Sequence, residues 1–200
     1  MSSCNCSVEI ESKAQRQVLL ILLAINAIMF VVELSIGFIA ESTGLIADSL
    51  DMLADATVYG IGIYAVGKAS STKTNAAYIS GVFQILLSVA VGVDIVRRFY
   101  MGSDPESLLM ISVGIVALIA NTICLMLISK HKDGEIHMRA SWIFSKNDVI
   151  ANVGVIVAGI LVLMLDSRWP DLLIGTIIVI VVFRGGLSII KQARDELQQT

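Results

Sequence analysis

Read for polarity alone, the chain alternates between long apolar runs and short polar breaks. Six runs reach the roughly 20 residues that an α-helix needs to cross a bilayer. They cover 17–40, 45–68, 76–98, 108–130, 140–165 and 172–191. The breaks between them are ESTG, ASSTKTN, FYMGSDPES, HKDGEIHMR and DSRWPD. This pattern predicts an all-α fold, a six-helix transmembrane bundle spanning 17–191. Residues 1–16 and 192–200 are expected to be polar tails, with no soluble C-terminal domain after the sixth helix. Ser42, Thr43 and Gly44 predict a tight turn between the first two helices. Asp104-Pro105-Glu106 and Trp169-Pro170-Asp171 place acids at the starts of the fourth and sixth helices, where the helix dipole favours them. Trp169 also suits a membrane interface.

Composition agrees with the pattern. Hydrophobic residues make up 56% of the chain and charged residues 16%, with a mean hydropathy of +0.83. A soluble domain carries roughly 25% charged residues. The net charge of -3 leaves no basic surplus for nucleic acid. The first apolar run follows a polar start and lacks a small-residue cleavage site, so it is expected to be a retained helix. Even helix number puts both termini on one side. That side collects Lys13, Arg16, Lys68, Lys73, Lys130, Lys132, Arg139, Lys191 and Arg194, against Arg97, Arg98 and Arg168 on the other. Positive residues favour the cytoplasmic face, so both termini are expected to be cytoplasmic. Arg184, near the cytoplasmic end of the last helix, can snorkel.

One break in the apolar pattern changes the picture. The stretch GLIADSLDMLADATVYG places Asp48, Asp51 and Asp55 inside the second helix. At 100° per residue the three stay within about 60° of one another, so they share a face. Ionisable groups within a membrane default to a functional site. Ion pairing is the alternative, but the only basic residue well inside a helix is Lys146, near the end of the fifth. Three acids with at most one basic partner must be protonated or hold a cation. The fifth helix supplies Asp148 and Asn152 four residues apart on one face, with Ser145 a turn earlier on the same side. Asn147 is rotated away by about 100° and is the weaker candidate. Two helices carrying oxygen ligands at this spacing can close a cation cage at their crossing, and several carboxylates suit a divalent ion.

Other polar residues have plainer roles. Asn26 and Asn121 suit interhelical hydrogen bonds. Glu33 is open between structural pairing and a proton relay. Asp94 reads as a local ion pair with Arg97 and Arg98. Gly60 and Gly62 on the second helix, Gly154 and Gly159 on the fifth, and Gly175 on the sixth are expected to permit close approach, as a tight crossing of helices two and five would need. Cys124 reads as a small packing residue. Cys4 and Cys6 form a C-x-C pair that reads first as spare thiols in a tail, though thiolates at that spacing can chelate a soft metal.

These residues resemble the cation diffusion facilitators, six-helix exporters of divalent metals. NAIMFVVELSIGFIAESTGLIADSLDMLADA is similar to that family's first two helices, with its Asn, Glu, Gly, Ser and Leu-x-Ala-Asp-Ser at Asn26, Glu33, Gly37, Ser42 and Leu45 to Ser49. RASWIFSKNDVIANVGVIVAGIL is similar to its fifth helix and WPDLLIGTIIVIVVFRGGLSII to its sixth. The resemblance implies metal ligation by Asp51 and Asp55 from the second helix and Asp148 from the fifth. The histidine that usually precedes the last acid by four falls at Phe144, which has no donor. Asn152, Ser145, Asn147 or Asp48 could supply the missing oxygen, and Asn152 is favoured by helical face. The resemblance further implies no enzymatic activity and no prosthetic group. Its substrates would be protons and a divalent ion such as zinc, iron(II), manganese, cobalt or cadmium. It would sit as a multi-pass protein in a bacterial inner or plasma membrane, with membrane lipid and a second copy of the chain as further partners.

Two further departures matter. Family members commonly continue into a soluble dimerising domain; without it, a homodimer would have to use the membrane helices. The histidine-rich loop is reduced to His131 and His137, which read as solvated, so Cys4 and Cys6 are the remaining candidates for a cytoplasmic capture site. The expected activity is metal efflux by proton antiport, with alternating access at the carboxylate site. The rival readings are a channel or a non-transporting metal sensor on the same fold, and a membrane-embedded enzyme. Against the enzyme, the chain has neither H-E-x-x-H nor G-x-S-x-G.

Overall fold

The computed structural model describes residues 3–65, 70–130 and 136–198. It contains α1 (Ser3–Ile39), α2 (Thr43–Ala65), α3 (Ser70–Met101), α4 (Ser107–Ser129), α5 (Ile136–Leu165) and α6 (Trp169–Gln198). The helices overrun the apolar runs at several ends. Residues read as polar tails continue α1 back to Ser3 and α6 on to Gln198. Five helices are long and apolar enough to cross a membrane. The exception is α2, whose three aspartates break its apolar window. At 23 residues it would still extend about 34 Å, more than the hydrocarbon core.

Packing explains how α2 tolerates its acids. It touches all five other helices, while among the described residues α3 has no contact with α1, α4 or α5. The closest partnerships are α1 with α2, α3 with α6, and α4 with α5. The α3–α6 pair leans on the rest through α2 and α5. Large apolar side chains such as Ile28, Phe83, Leu86, Val93, Ile119 and Ile180 point outward, as expected for surfaces that face lipid. The main core joins Leu45, Ile46 and Leu50 of α2 to Met110, Val113, Val155, Val162 and Val182.

The glycines serve other crossings than the one expected of them. A Cβ on Gly81 would lie 3.0 Å from the Gly186 carbonyl oxygen, and one on Gly186 3.1 Å from that of Gly81. These two, not singled out by the pattern, set the α3–α6 crossing. Gly154 faces Ile174 of α6 and Gly159 faces Met110 and Ile111 of α4. Gly60 has only Leu23 nearby, and the Gly62 site lies outside the described side chains. So the described glycines do not ease an α2–α5 crossing. Gly175 does permit a close approach, but to Thr43 at the start of α2.

The turn into α2 sits one step earlier than expected. Glu41 takes the left-handed conformation, φ +48°, and the Ser42 N–H donates to the Gly37 carbonyl at 3.0 Å, a helix-ending bond. Thr43 and Gly44 are already helical. Asp171 reaches across from α6 to cap them. Its Oδ2 accepts from the Thr43 N–H at 2.7 Å, and its Oδ1 from the Gly44 N–H at 2.9 Å and the Ser42 hydroxyl at 2.7 Å. An acid expected to serve the dipole of its own helix thus also satisfies the free N–H groups of another. Arg98 fastens the same corner, pairing with Asp94 at 2.5 Å and donating to the Glu41 carbonyl. Asp94 also pairs with Arg97 at 2.7 Å, as the sequence predicts. At the start of α4, Glu106 occupies the N-cap position without a side-chain cap, and its N–H donates to the Ala40 carbonyl at 2.9 Å. Trp169 lies against Phe99, ring centroids 5.4 Å apart, at the same end of the bundle.

Candidate metal-binding site between α2 and α5

Asp51, Asp55 and Asp148 come together. The Asp148 carboxyl lies within hydrogen-bond reach of both Asp51 and Asp55. Asp55 and Asp148 are 3% exposed. Carboxyl oxygens in such contact repel unless a proton is shared between them or a cation lies among them. Among the described residues, no three or more His, Cys, Asp or Glu side chains are grouped so as to hold a metal ion.

Asn152 lies one turn from Asp148 along α5 and is fully buried. Its Nδ2 donates to the Asp148 carbonyl at 2.7 Å. Its Oδ1 is buried without a partner. Leaving a buried amide oxygen unpaired is costly, and an oxygen held this way is a ready ligand. Asp48 is also buried, and neither of its carboxyl oxygens has a hydrogen bond. Ser145 is buried but engaged with Tyr59, its Oγ 3.2 Å from the phenol oxygen. Asn147 is exposed and, with Asp51, lines a cavity of about 280 Å³ between α2, α5 and α6, walled by Ile150, Ile174, Ile177 and Val181.

The one basic residue that the ion-pairing alternative offered lies elsewhere. Lys146 is exposed and sits over the Trp142 ring, 5.9 Å from its centroid. Glu33 is fully buried, and neither of its oxygens has a hydrogen bond, so the pairing alternative does not describe it. It lies close enough to Asp48 and Asp51 for their charges to act on it. Asn26 makes an interhelical contact, its Nδ2 lying 3.9 Å from the Cys124 sulfur. Asn121 is buried but makes no hydrogen bond, contrary to expectation. Cys124 packs with Leu19, Leu22 and Ile128, as a small buried residue should. The side chains of Cys4, Cys6, His137 and Phe144, and all of His131, lie outside the described residues.

Tyr59 is the residue that sequence reasoning missed. Its hydroxyl donates to Asp55 Oδ2 at 2.8 Å. The signal was available: Tyr59 follows Asp55 by four, on the same face of α2.

The profile of the cation efflux transmembrane domain matches residues 19–198. The chain belongs to that family. It is also similar to two curated proteins named as cadmium, cobalt and zinc/H(+)-K(+) antiporters. With the one from Bacillus velezensis it shares 26% identity over 126 residues, 62% of this chain and 40% of the relative. With the one from Bacillus subtilis it shares 26% over 120 residues, 59% and 39%. A zinc transporter, ZitB, of Yersinia pestis is 24% identical over 125 residues, 62% of this chain and 40% of that protein. The chain thus spans about 40% of the length of the curated relatives it matches. Family membership and five apolar spans make it a multi-pass membrane protein.

Proposed function

We propose that this chain is a transport unit that exports divalent metal in exchange for protons. The observation that carries this is the meeting of Asp51 and Asp55 with Asp148 inside the bundle, with no ion pair to any of them among the described residues. Asn152 Oδ1, buried and unpaired, is the fourth donor in this reading. Three carboxylates and an amide oxygen make a hard site, as welcoming to manganese, iron(II) or cobalt as to zinc or cadmium. The names of the relatives, which include cadmium, cobalt, zinc and H(+), support the metal class and the exchange.

The same oxygens serve both cargoes. With protons aboard, the carboxyls hydrogen-bond to one another. A divalent ion entering among them displaces those protons, so the two loads exclude each other on charge. Alternating access would come from rocking of the α3–α6 pair against the helices that carry the ligands. The side cavity at Asp51 and Asn147 marks where α6 meets that group.

The test is metal-by-metal flux in proteoliposomes with an internal pH dye. Metal uptake coupled to proton movement is expected, lost in Asp51→Ala and in Asp148→Ala. Full transport by either variant would sink the assignment. Metal current without proton movement would indicate a channel, and binding without flux a sensor.

A further inference from the structure

On the side of the acids that carries the chain termini, α2 and α5 are joined by a polar bridge set inside an apolar plug. Tyr59 follows Asp55 by one turn of α2, and Ser145 precedes Asp148 by one turn of α5. The Tyr59 phenol donates to Asp55 Oδ2 at 2.8 Å and lies 3.2 Å from Ser145 Oγ. Its ring is 1% exposed and packs in a cluster with Leu19, Leu22, Cys124 and Ile128. These side chains come from α1, α2 and α4, with Trp142 of α5 packed against them. So this one layer draws on α1, α2, α4 and α5. No such layer separates Asp51 from the cavity shared with Asn147.

We propose that Tyr59 is the gate residue of the terminal side. Its hydroxyl, held between Asp55 and Ser145, latches α2 to α5 and closes the acids off from the end that carries the termini. To reach Asp55 from that end, an ion must pass the ring. The ring cannot swing without breaking the contact to Ser145 and leaving buried hydroxyls unpaired. Tyr59 also fixes Asp55: one carboxyl oxygen is committed to the phenol, and the other is left for Asp148 or for an ion. Tyr59 therefore acts as a positioning residue as well as a barrier. The inference rests on reading the acids as a transport site, but its test does not depend on flux.

The test uses Cys124, which sits in the plug and is 1% exposed. In a Cys4→Ser, Cys6→Ser background it is the remaining thiol of the chain. Full-length protein is placed in vesicles of defined orientation and treated with a membrane-impermeant maleimide from either side. Tyr59→Phe keeps the ring and removes the latch. It should raise Cys124 labelling from the terminal side roughly three- to tenfold, the population shift that one net hydrogen bond produces. Ser145→Ala removes the α5 half of the latch without touching Asp55, and it should give the same sign. The double variant should label no faster than Tyr59→Phe alone, since both remove one bridge. Unchanged labelling in both single variants would overturn the proposal. An equal rise from both sides would overturn it too, since that reports general loosening. If the parent protein carries no metal while Tyr59→Phe labels faster from one side, the transport reading fails and the gate stands.

Discussion

Replacing Asp171 tests how α2 is held, because this single carboxylate receives three hydrogen bonds at the start of the helix that carries the acids. Asp171→Ala removes all three and leaves the Thr43 and Gly44 N–H groups buried without acceptors. Losing an N-cap costs about 0.5–2 kcal/mol, and each buried orphaned donor about 1–3 kcal/mol. Part of the cap survives, because the Ser42 hydroxyl oxygen can still accept from the Leu45 N–H at 3.2 Å. The expected loss is about 2–4 kcal/mol. For a chain of this size that lowers the thermal midpoint by roughly 4–16 °C. Asp171→Asn keeps one acceptor oxygen and should fall about midway. Asp171→Glu keeps the charge but adds a methylene where a Cβ on Gly44 would already lie 3.0 Å from Asp171 Oδ1. It should therefore not restore the parent value. The assay is the fraction of monodisperse protein in detergent after heating for a fixed time, a kinetic ranking suited to irreversible unfolding. Alanine and asparagine variants indistinguishable from the parent would refute the reasoning, since three short bonds in a buried corner would then contribute nothing.

Further outcomes follow from the same geometry. Gly81→Ala should destabilise by about 1–3 kcal/mol in that heating assay, because its Cβ would press on Ile190 at 2.8 Å and on the Gly186 carbonyl; Gly92→Ala, with nothing within 4 Å, should be neutral or slightly stabilising. Lys146→Gln should leave metal flux unchanged, because Lys146 is exposed and sits over Trp142; loss of flux would mean the carboxyls depend on that charge. Asn152→Leu should weaken metal binding measured by competition with a fluorescent chelator, whereas Asn152→Asp should retain it; equal affinity in all three proteins would remove Asn152 from the donor set.

Much of the bundle can be read from apolar run length, because a membrane core imposes one length on every spanning helix. The acids stand out for the same reason: Asp48, Asp51, Asp55 and Asp148 interrupt apolar runs, and periodicity alone puts each pair on a face. What stays hidden is set by contacts between distant segments. Asp171 sits at a helix start, where its own helix is a sufficient reason for it, yet its carboxylate caps a helix 127 or more residues away in sequence. Gly81 and Gly186 attract no notice in their runs, and only the α3–α6 crossing gives them a role. Tyr59 reads as an ordinary aromatic of an apolar helix until its hydroxyl is seen between Asp55 and Ser145.

The family resemblance implies a donor four residues before Asp148, where this chain has Phe144. Asn152 lies four residues after it, on the same face of α5. The candidate donor thus moves by eight positions, about 12 Å along the helix axis, to the other side of Asp148. On the vacated side, Tyr59 and Ser145 are already engaged with each other. On the Asn152 side, an amide oxygen is buried and free. The departure at Phe144 is therefore more than the loss of one ligand. On the reading proposed above, it pairs a closed end at Tyr59 with a donor set displaced away from the chain termini, and it exchanges an imidazole for an oxygen. Both changes would then act on the same ion: the first on the route by which it arrives, the second on which metals it can be. Restoring the imidazole with Phe144→His would separate them, since it should shift metal preference toward zinc without changing the labelling of Cys124.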